Sequence, residues 1–377
     1  MTPDNATSPL PRLIVMWENF GPTHHDRLRA LARAGFEVDA IELSAASRAY
    51  EWDREDSATY HVQTLSQRYG GTHPAIVSWR LLKACLRSPA RHVFLCHYSW
   101  MRVFVVAIAL RLLGRRVYAM VDSKFDDYAR ILGREVFKSF VLSPYNGAIV
   151  ASRRSLEYLA FLRAPRDHLV LGYDTIDTER VRQSAGPIDA AQPFAARPFL
   201  VVARLVAKKN IPFVLQAFAR YRSLSTDPRE LHLIGYGPLE DELKAEAGRL
   251  GLGEAVRFLG LKQAGEVAHA MSKAVALVLA STEEQFGLVI NEALAVGLPV
   301  IVSSNAGAVD TLVENLGNGL IIDPYNPETL VLAMAHVASD GQRWEAMHRR
   351  ALETAPRADA AEFVAGVTQL VTPVAAG

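Results

Sequence analysis

Residues 274–304, AVALVLASTEEQFGLVINEALAVGLPVIVSS, decide the fold. The apolar run 275–280 has the length and continuity of a strand buried on both faces, and a second such run, 300–302, follows it. Between them Leu288, Ile290, Leu294 and Val296 recur at a period nearer a helix than a strand. Gly297 falls just past the end and Pro299 beyond it, the usual punctuation of a helix C-terminus. The stretch is a strand, loop, helix, strand unit of a parallel sheet.

The loop 282–287, TEEQFG, leaves the C-terminal end of a parallel strand and meets the positive end of the next helix, where open α/β sheets bind anionic ligands. Acids there have two readings. Glu283 and Glu284 are either first-turn residues favoured by the helix dipole or ligands of a bound group. Seven residues separate Glu284 from Glu292. At roughly 1.5 Å per helical residue the two stand no more than about 12 Å apart, a span that engages both ends of a nucleotide sugar.

The pattern E-x-F-G-x-x-x-x-E-A-L-A-x-G-x-P-V resembles the E-x7-E signature of retaining GT-B glycosyltransferases, family four in particular. The resemblance implies that Glu284 sits by the donor sugar's hydroxyls, that Glu292 bonds the ribose hydroxyls of the nucleotide, and that Phe286 and Gly287 belong to the donor site. It also implies an α/β architecture of two Rossmann-like domains facing a cleft, with a C-terminal helix crossing back to the first domain.

At 377 residues, half of them hydrophobic, the chain has room for two such domains. Its two cysteines, Cys85 and Cys96, are too few for a disulfide framework and fit a reducing cytoplasm. The opening residues 1–11 read as a disordered lead-in rather than a secretory signal. The most apolar helix candidate, 103–113, is too short to span a membrane and contains Arg111.

Net charge is only +1, but its distribution is uneven. Between 57 and 121 there is no acid and there are nine cations, Arg68, Arg80, Lys83, Arg87, Arg91, Arg102, Arg111, Arg115 and Arg116. One reading is a surface for an anionic membrane or a lipid-linked or glycan acceptor, each cation contributing about 1 kcal/mol near such a membrane. Solvated helix faces are the other. Nothing points to nucleic acid.

In chain order, 13–17 is a buried strand, a helix follows to Gly35, and 36–43 is a second strand. Gly21 and Pro22 shape the first strand-to-helix turn. The resemblance gives Gly21 the Gly-rich approach to the donor pyrophosphate; His24 and His25, at the helix start, are acceptor candidates, with a capping or surface role as at least an equal alternative. Residues 60–71 are ambiguous between element types; 75–86 is a helix and 92–96 a buried strand. His97 and Asp122 fall at strand C-termini, His97 as a further acceptor candidate. Many family members have His where this chain has Asp122. Asp122 is read as a base for the acceptor hydroxyl or as a helix cap. Asp126 and Asp127 make too poor a ligand set for a metal, and no metal or other cofactor is expected.

The segment 172–177, GYDTID, resembles the G-V-D segment before the interdomain link, and the Ala- and Pro-rich 184–198 is the expected linker. The expected domains are 1–183 on the acceptor side, 199–359 for the nucleotide-sugar donor, and a helix within 360–377. The donor domain opens with the strand 199–202 and then ARLVAKKN, which resembles G-R-L-x-x-x-K-G; the resemblance implies that Arg204 and Lys209 hold the diphosphate. Gly235 and Gly237 permit close backbone approach. Gly307 and Asp310 stand in place of a G-x-P-E-like turn. The function this implies is retaining transfer from a UDP- or GDP-sugar to an acceptor hydroxyl, in cell-surface polysaccharide, glycolipid or glycoside biosynthesis. A GT-B epimerase or phosphorylase, and a catalytically silent scaffold of a polysaccharide assembly complex, are the alternatives.

Overall fold

The structure, a computed structural model, describes residues 10–45, 59–67, 73–186 and 192–372. Arg68, most of the lead-in and the middle of the linker lie outside them. The chain divides into two compact units, one of residues 1–123, 130–176 and 360–377, the other of residues 124–129 and 177–359.

The first unit contains β1 (Leu13–Trp17), α1 (Pro22–Arg33), β2 (Val38–Glu42), β3 (His61–Thr64), α2 (Pro74–Arg87), β4 (His92–Cys96), α3 (Met101–Leu112), β5 (Arg116–Val121), α4 (Leu132–Val141), β6 (Gly147–Val150), α5 (Arg153–Phe161) and β7 (Leu169–Leu171). Its strands pair in parallel in the order β3-β2-β1-β4-β5-β6-β7. All five residues of β1 are buried, as a central strand covered on both faces requires. The ambiguous stretch after residue 59 supplies edge strand β3, whose residues are only partly buried and carry no apolar run for a sequence reading to find.

The second unit contains α6 (Thr178–Ala185), β8 (Phe199–Val202), α7 (Ile211–Leu224), β9 (Leu231–Ile234), α8 (Glu240–Arg249), β10 (Val256–Phe258), α9 (Ala264–Lys273), β11 (Ala276–Leu279), α10 (Leu288–Ala295), β12 (Val300–Ser303), α11 (Val309–Leu312), β13 (Gly319–Ile322), α12 (Pro327–Ala338) and α13 (Gly341–Thr354). Its parallel order is β10-β9-β8-β11-β12-β13. In each sheet the order reverses once, between β1 and β4 and between β8 and β11, which marks where ligands bind at strand C-termini.

The boundary differs from the expected one. Residues 177–183 were expected in the first domain, but α6 packs on α9 and α10 of the second unit, Arg182 Nε donating to Ala295 O at 2.8 Å. Asp177 caps α6 by accepting from Arg180 N, so the helix starts where the second unit starts. The last helix, α14 (Ala360–Val371), returns to the first unit and packs on α1, β6 and β7. Two glycines permit this approach. A Cβ on Gly366 would lie 2.6 Å from Leu171 O, and one on Gly172, at φ +113°, 2.4 Å from Glu362 O. Phe363 is wholly buried there, a burial that stabilises by about 1.5–3 kcal/mol.

Candidate functional site

At the reversal point of the second sheet, β11 runs into Ser281 and the acidic loop. Helix α10 begins only at Leu288, with Gly287 as its N-cap at φ +103°, so no acid occupies its first turn and the dipole reading of Glu283 and Glu284 does not hold. The loop is instead fixed by its neighbours. Asn305 Nδ2 donates to Thr282 O at 2.8 Å, Ala308 N donates to Phe286 O at 3.0 Å, and Glu284 forms a parallel bridge with Ala306. A Cβ on Gly307 would lie 2.0 Å from Gln285 O, which is the structural requirement for glycine there. Phe286 is buried beneath the loop, while Asp310 sits in the first turn of α11.

The loop after β8 meets this acidic loop. Lys209 Nζ forms an ion pair with Glu284 Oε2, and Ser281 Oγ donates to the same oxygen at 2.9 Å. Thr282 N donates to Lys208 O at 2.9 Å, so backbone and side chains tie the two loops together. Asn210, at φ +57°, turns the chain from Lys209 into α7; Asn is the non-glycine residue that tolerates that conformation, which explains its place where the family pattern has glycine.

Gly235, at φ +140°, and Gly237 lie against the segment that carries Arg204. Their Cβ atoms would fall 1.8 Å from Ala203 O and 2.4 Å from Leu205 O. The structure thus brings Glu284, Lys209, Gly287 and the Arg204 segment with its two glycines to one edge of the sheet. Glu292 lies further along α10, half-buried, beside Arg180, Val181 and Ser184 of α6 and Ala264 and Ala268 of α9.

In the first unit the C-terminal ends of β1, β4, β5 and β7 gather a second polar cluster. Arg27 is buried in an aromatic cage, its guanidinium 5.1 Å from the Trp17 ring, 5.0 Å from Tyr173 and 5.9 Å from Phe363. It donates to Tyr173 O at 2.6 Å and approaches Asp174 Oδ1 at 3.5 Å, while Trp17 Nε1 donates to Tyr173 OH at 2.9 Å. Burial, reinforced by the nearby charge of Asp122, pushes the Asp174 carboxyl up to about 7, against the opposing pull of Arg27. Neither Arg27 nor Asp174 is among the sequence candidates. Asp174 lies within the quoted GYDTID, where the missing signal was burial.

The histidines divide. Gly21 N donates to His24 Nδ1 at 3.0 Å, a cap that closes the first turn of α1, and burial holds the imidazole well below its usual range. Of the two readings of His24, capping is the role the structure displays. Gly21 has φ −122°, open to any residue, so its conformation supplies no requirement for glycine. His25 is buried against Tyr60, with Nδ1 2.5 Å from the hydroxyl. His97 does stand at the strand end, at φ +57°, stacked 3.9 Å over Trp100 and 3.8 Å from Glu18 Oε2. Burial lowers its pKa, against the charges of Glu18 and Asp122.

Asp122 is not the N-cap of the turn that follows it. The turn that follows starts at Phe125 and is closed by Lys124 and Asp127, and Asp122 O instead accepts from Ser155 Oγ at 2.9 Å. Lys124 Nζ lies 3.3 Å from Asp126 and 2.9 Å from Asp127. Among the described residues no group of three or more His, Cys, Asp or Glu side chains is placed to hold a metal ion.

The raised Asp174 carboxyl predicts a pH signature. The folded protein keeps a proton that the unfolded chain releases near pH 3.8, so stability falls as pH rises from about 4 to about 7. Asp174→Asn should remove that slope. Denaturant midpoints measured across the window check this; a difference between wild type and variant that does not change with pH would refute it.

Residues 195–354 match the family of glycosyl transferases group 1. An uncharacterized glycosyltransferase of Methanocaldococcus jannaschii is 26% identical over 339 residues, covering 82% of each chain. The glycogen synthase of Mycobacterium tuberculosis is 35% identical over 162 residues, 41% of this chain and 38% of that one. Among solved structures, the Anabaena protein HepE in complex with UDP and glucose superposes with a TM-score of 0.71 at 16% identity, over 96% of this chain and 99% of that one. Residues 195–354 are thus similar to the glycosyl transferases group 1, and the two parallel-sheet Rossmann-like units have the GT-B fold.

Proposed function

We propose that the chain transfers a sugar from a nucleotide-sugar donor to an acceptor hydroxyl with retention at the anomeric carbon, without a metal ion, in the synthesis of a cell-surface polysaccharide, glycolipid or glycoside. The observation that carries this reading is the Lys209–Glu284 pair at the reversal point of the second sheet, beside the glycine-backed Arg204 segment. A uridine or guanosine diphosphate sugar is the proposed donor. The UDP and glucose of the HepE structure, whose fold is alike, favour uridine.

In the proposed reaction the bond from the anomeric carbon to the diphosphate breaks, its electron pair passing to the phosphate oxygen. Arg204, Lys209 and loop amides stabilise that charge. The acceptor oxygen bonds to the anomeric carbon on the same face, and its proton passes to the released phosphate oxygen. Glu284 orients the sugar hydroxyls, and Glu292 the ribose. In the first unit Asp122, with Asp174 and His97 near it, is the proposed acceptor-side group.

The test is to incubate the protein with UDP- and GDP-sugars and follow the anomeric proton by NMR. Retained configuration, in hydrolysis or in transfer, supports the reading. Inversion or strictly phosphate-dependent turnover would overturn it.

A specific observation favours a membrane-borne acceptor. Met101, Val105, Ile108 and Leu112 recur at helical spacing on α3 and are exposed, Leu112 by 83%. Ile76 and Trp79 of α2, within the same acid-free stretch, are exposed as well, as are Leu132, Val136 and Phe140 of α4, which lies beyond it. Among the described residues no helix is long and apolar enough to cross a membrane, so the proposed contact lies in the interface. The protein should float with anionic liposomes at low salt and release at high salt, since screening acts over about 8 Å at physiological ionic strength. Indifference to anionic liposomes at low salt would remove this contact from the reading.

A further inference from the structure

A pocket in the first unit is lined by three of the cations of the acid-free stretch, Arg91, Arg111 and Arg116. It opens at the amino-terminal edge of the first sheet, about 570 Å³ in volume. Arg91 immediately precedes β4, Arg116 begins β5, Asn146 precedes β6 and His168 precedes β7, so the pocket collects four consecutive strand starts. Arg111, from the last turn of α3, and Gln369, near the end of α14, close it from either side. The candidate acceptor groups Asp122, His97 and Asp174 lie at or beyond the opposite, carboxyl ends of the strands.

Three arginines therefore line one concavity. Their neighbour Arg115 is spent on the backbone, donating to Ser88 O at 3.0 Å and to Ala90 O. Arg91, Arg111 and Arg116 make no ion pair with any described residue. One acid, Asp167, stands on the rim, 3.7 Å from His168 Nε2, leaving the arginines in excess. Beneath them the floor is rigid: His92 stacks on Tyr118 at 5.9 Å, and the Tyr118 hydroxyl donates to Leu370 O at 2.9 Å. Burial, joined by the charges of Arg116 and Arg91, pulls the His92 imidazole down to about 4, so this buried ring adds no cation of its own at neutral pH. Asn146 Oδ1 is engaged by Val117 N at 2.9 Å, which leaves the amide NH2 as the group Asn146 has to give.

We propose that Arg91, Arg111 and Arg116 form a binding site for a phosphate ester or diphosphate group, separate from the donor site. Guanidinium forks match the several oxygens of a phosphoryl group, and like charges gathered on a rigid floor are relieved by a multivalent anion. The volume exceeds what a phosphate alone fills, and Asn146, Gln369 and Thr372 supply hydrogen-bonding groups of the kind that hydroxyls on an attached sugar would meet. The same chemistry is offered by a soluble phosphorylated sugar and by a lipid phosphate headgroup. Leu112 and Leu113, both exposed and the next two residues after Arg111, give the lipid source its footing.

The probes are inorganic pyrophosphate, by calorimetry, and phosphatidylglycerol vesicles, by flotation. Both are applied to full-length protein already carrying Arg204→Ala and Lys209→Ala, which takes the diphosphate-binding cations of the donor site out of the measurement. In that background Arg91→Ala with Arg116→Ala should weaken binding at least tenfold, and Arg111→Glu should do the same alone. All three side chains are exposed, and an unchanged thermal midpoint verifies folding. Loss confined to the pyrophosphate arm assigns the site to a soluble phosphate; loss confined to the vesicle arm assigns it to a headgroup. If neither probe binds, or if both arginine variants bind like their parent, the site does not exist. Transferase activity of the wild type with no binding here would overturn this proposal and leave the transferase reading standing.

Discussion

Arg204→Ala and Lys209→Ala should each lower turnover by about 10²-fold or more. The leaving diphosphate gains charge as its bond to the sugar breaks, so cations placed against it stabilise the transition state more than the ground state. Losing one such donor from a preorganised, partly dry site typically costs about 10²- to 10³-fold. The ion pair of Lys209 with Glu284 makes the second variant informative in a further way. Removing the lysine leaves Glu284 without that counter-charge next to an incoming dianion, so its effect should fall on donor affinity as well as on turnover. Lys209→Arg, which keeps the charge, should recover part of the loss. Steady-state rates on the best donor decide this. Two single variants at full rate would place the diphosphate elsewhere.

How far the sequence disclosed this arrangement depends on the kind of signal each part needs. The second unit was legible because its information is local. A buried strand, an acidic loop, a helix and a glycine stop lie within thirty-one consecutive residues, and Arg204 and Lys209 sit in one short loop. The strands β8, β11 and β12 appear within a residue or two of the expected runs, since apolar runs of three to six residues in a parallel sheet have little freedom to shift. Gly235, Gly237 and Gly307 were visible as glycines, but the reason for them is not local: each faces a carbonyl from a distant segment at a distance no Cβ tolerates.

The first unit was less legible for the corresponding reason. His24 and His25 look alike in sequence, yet one closes its own helix turn and the other is fixed by Tyr60, thirty-five residues on. Arg27 carries no mark in the sequence that singles it out; only the meeting of Trp17, Tyr173 and Phe363 from three separate segments buries it. Asp174 is pushed upward by burial and by Asp122, neither of which a linear pattern records. The domain boundary shifted because α6 belongs with the helices it touches rather than with the strand it follows in sequence.

Glu292→Ala should weaken nucleotide-sugar binding by about 10- to 100-fold, because a hydroxyl pair that loses its carboxylate in a half-buried site costs about 1–3 kcal/mol. Its position on α10, beside Arg180 of α6 and Ala264 at the start of α9, gives a competing account in which the carboxylate serves only to pack three helices together. The two accounts differ in what they move. A ribose contact is present equally in ground and transition states, so its loss raises KM and leaves kcat near its starting value. A packing role lowers the thermal midpoint and leaves donor affinity where it was. A nucleotide lacking the 2′ and 3′ hydroxyls separates them fully. Against that ligand the wild type should already bind weakly, and Glu292→Ala should cost nothing further. If the variant loses as much affinity for the dideoxy nucleotide as for the natural one, Glu292 does not hold the ribose.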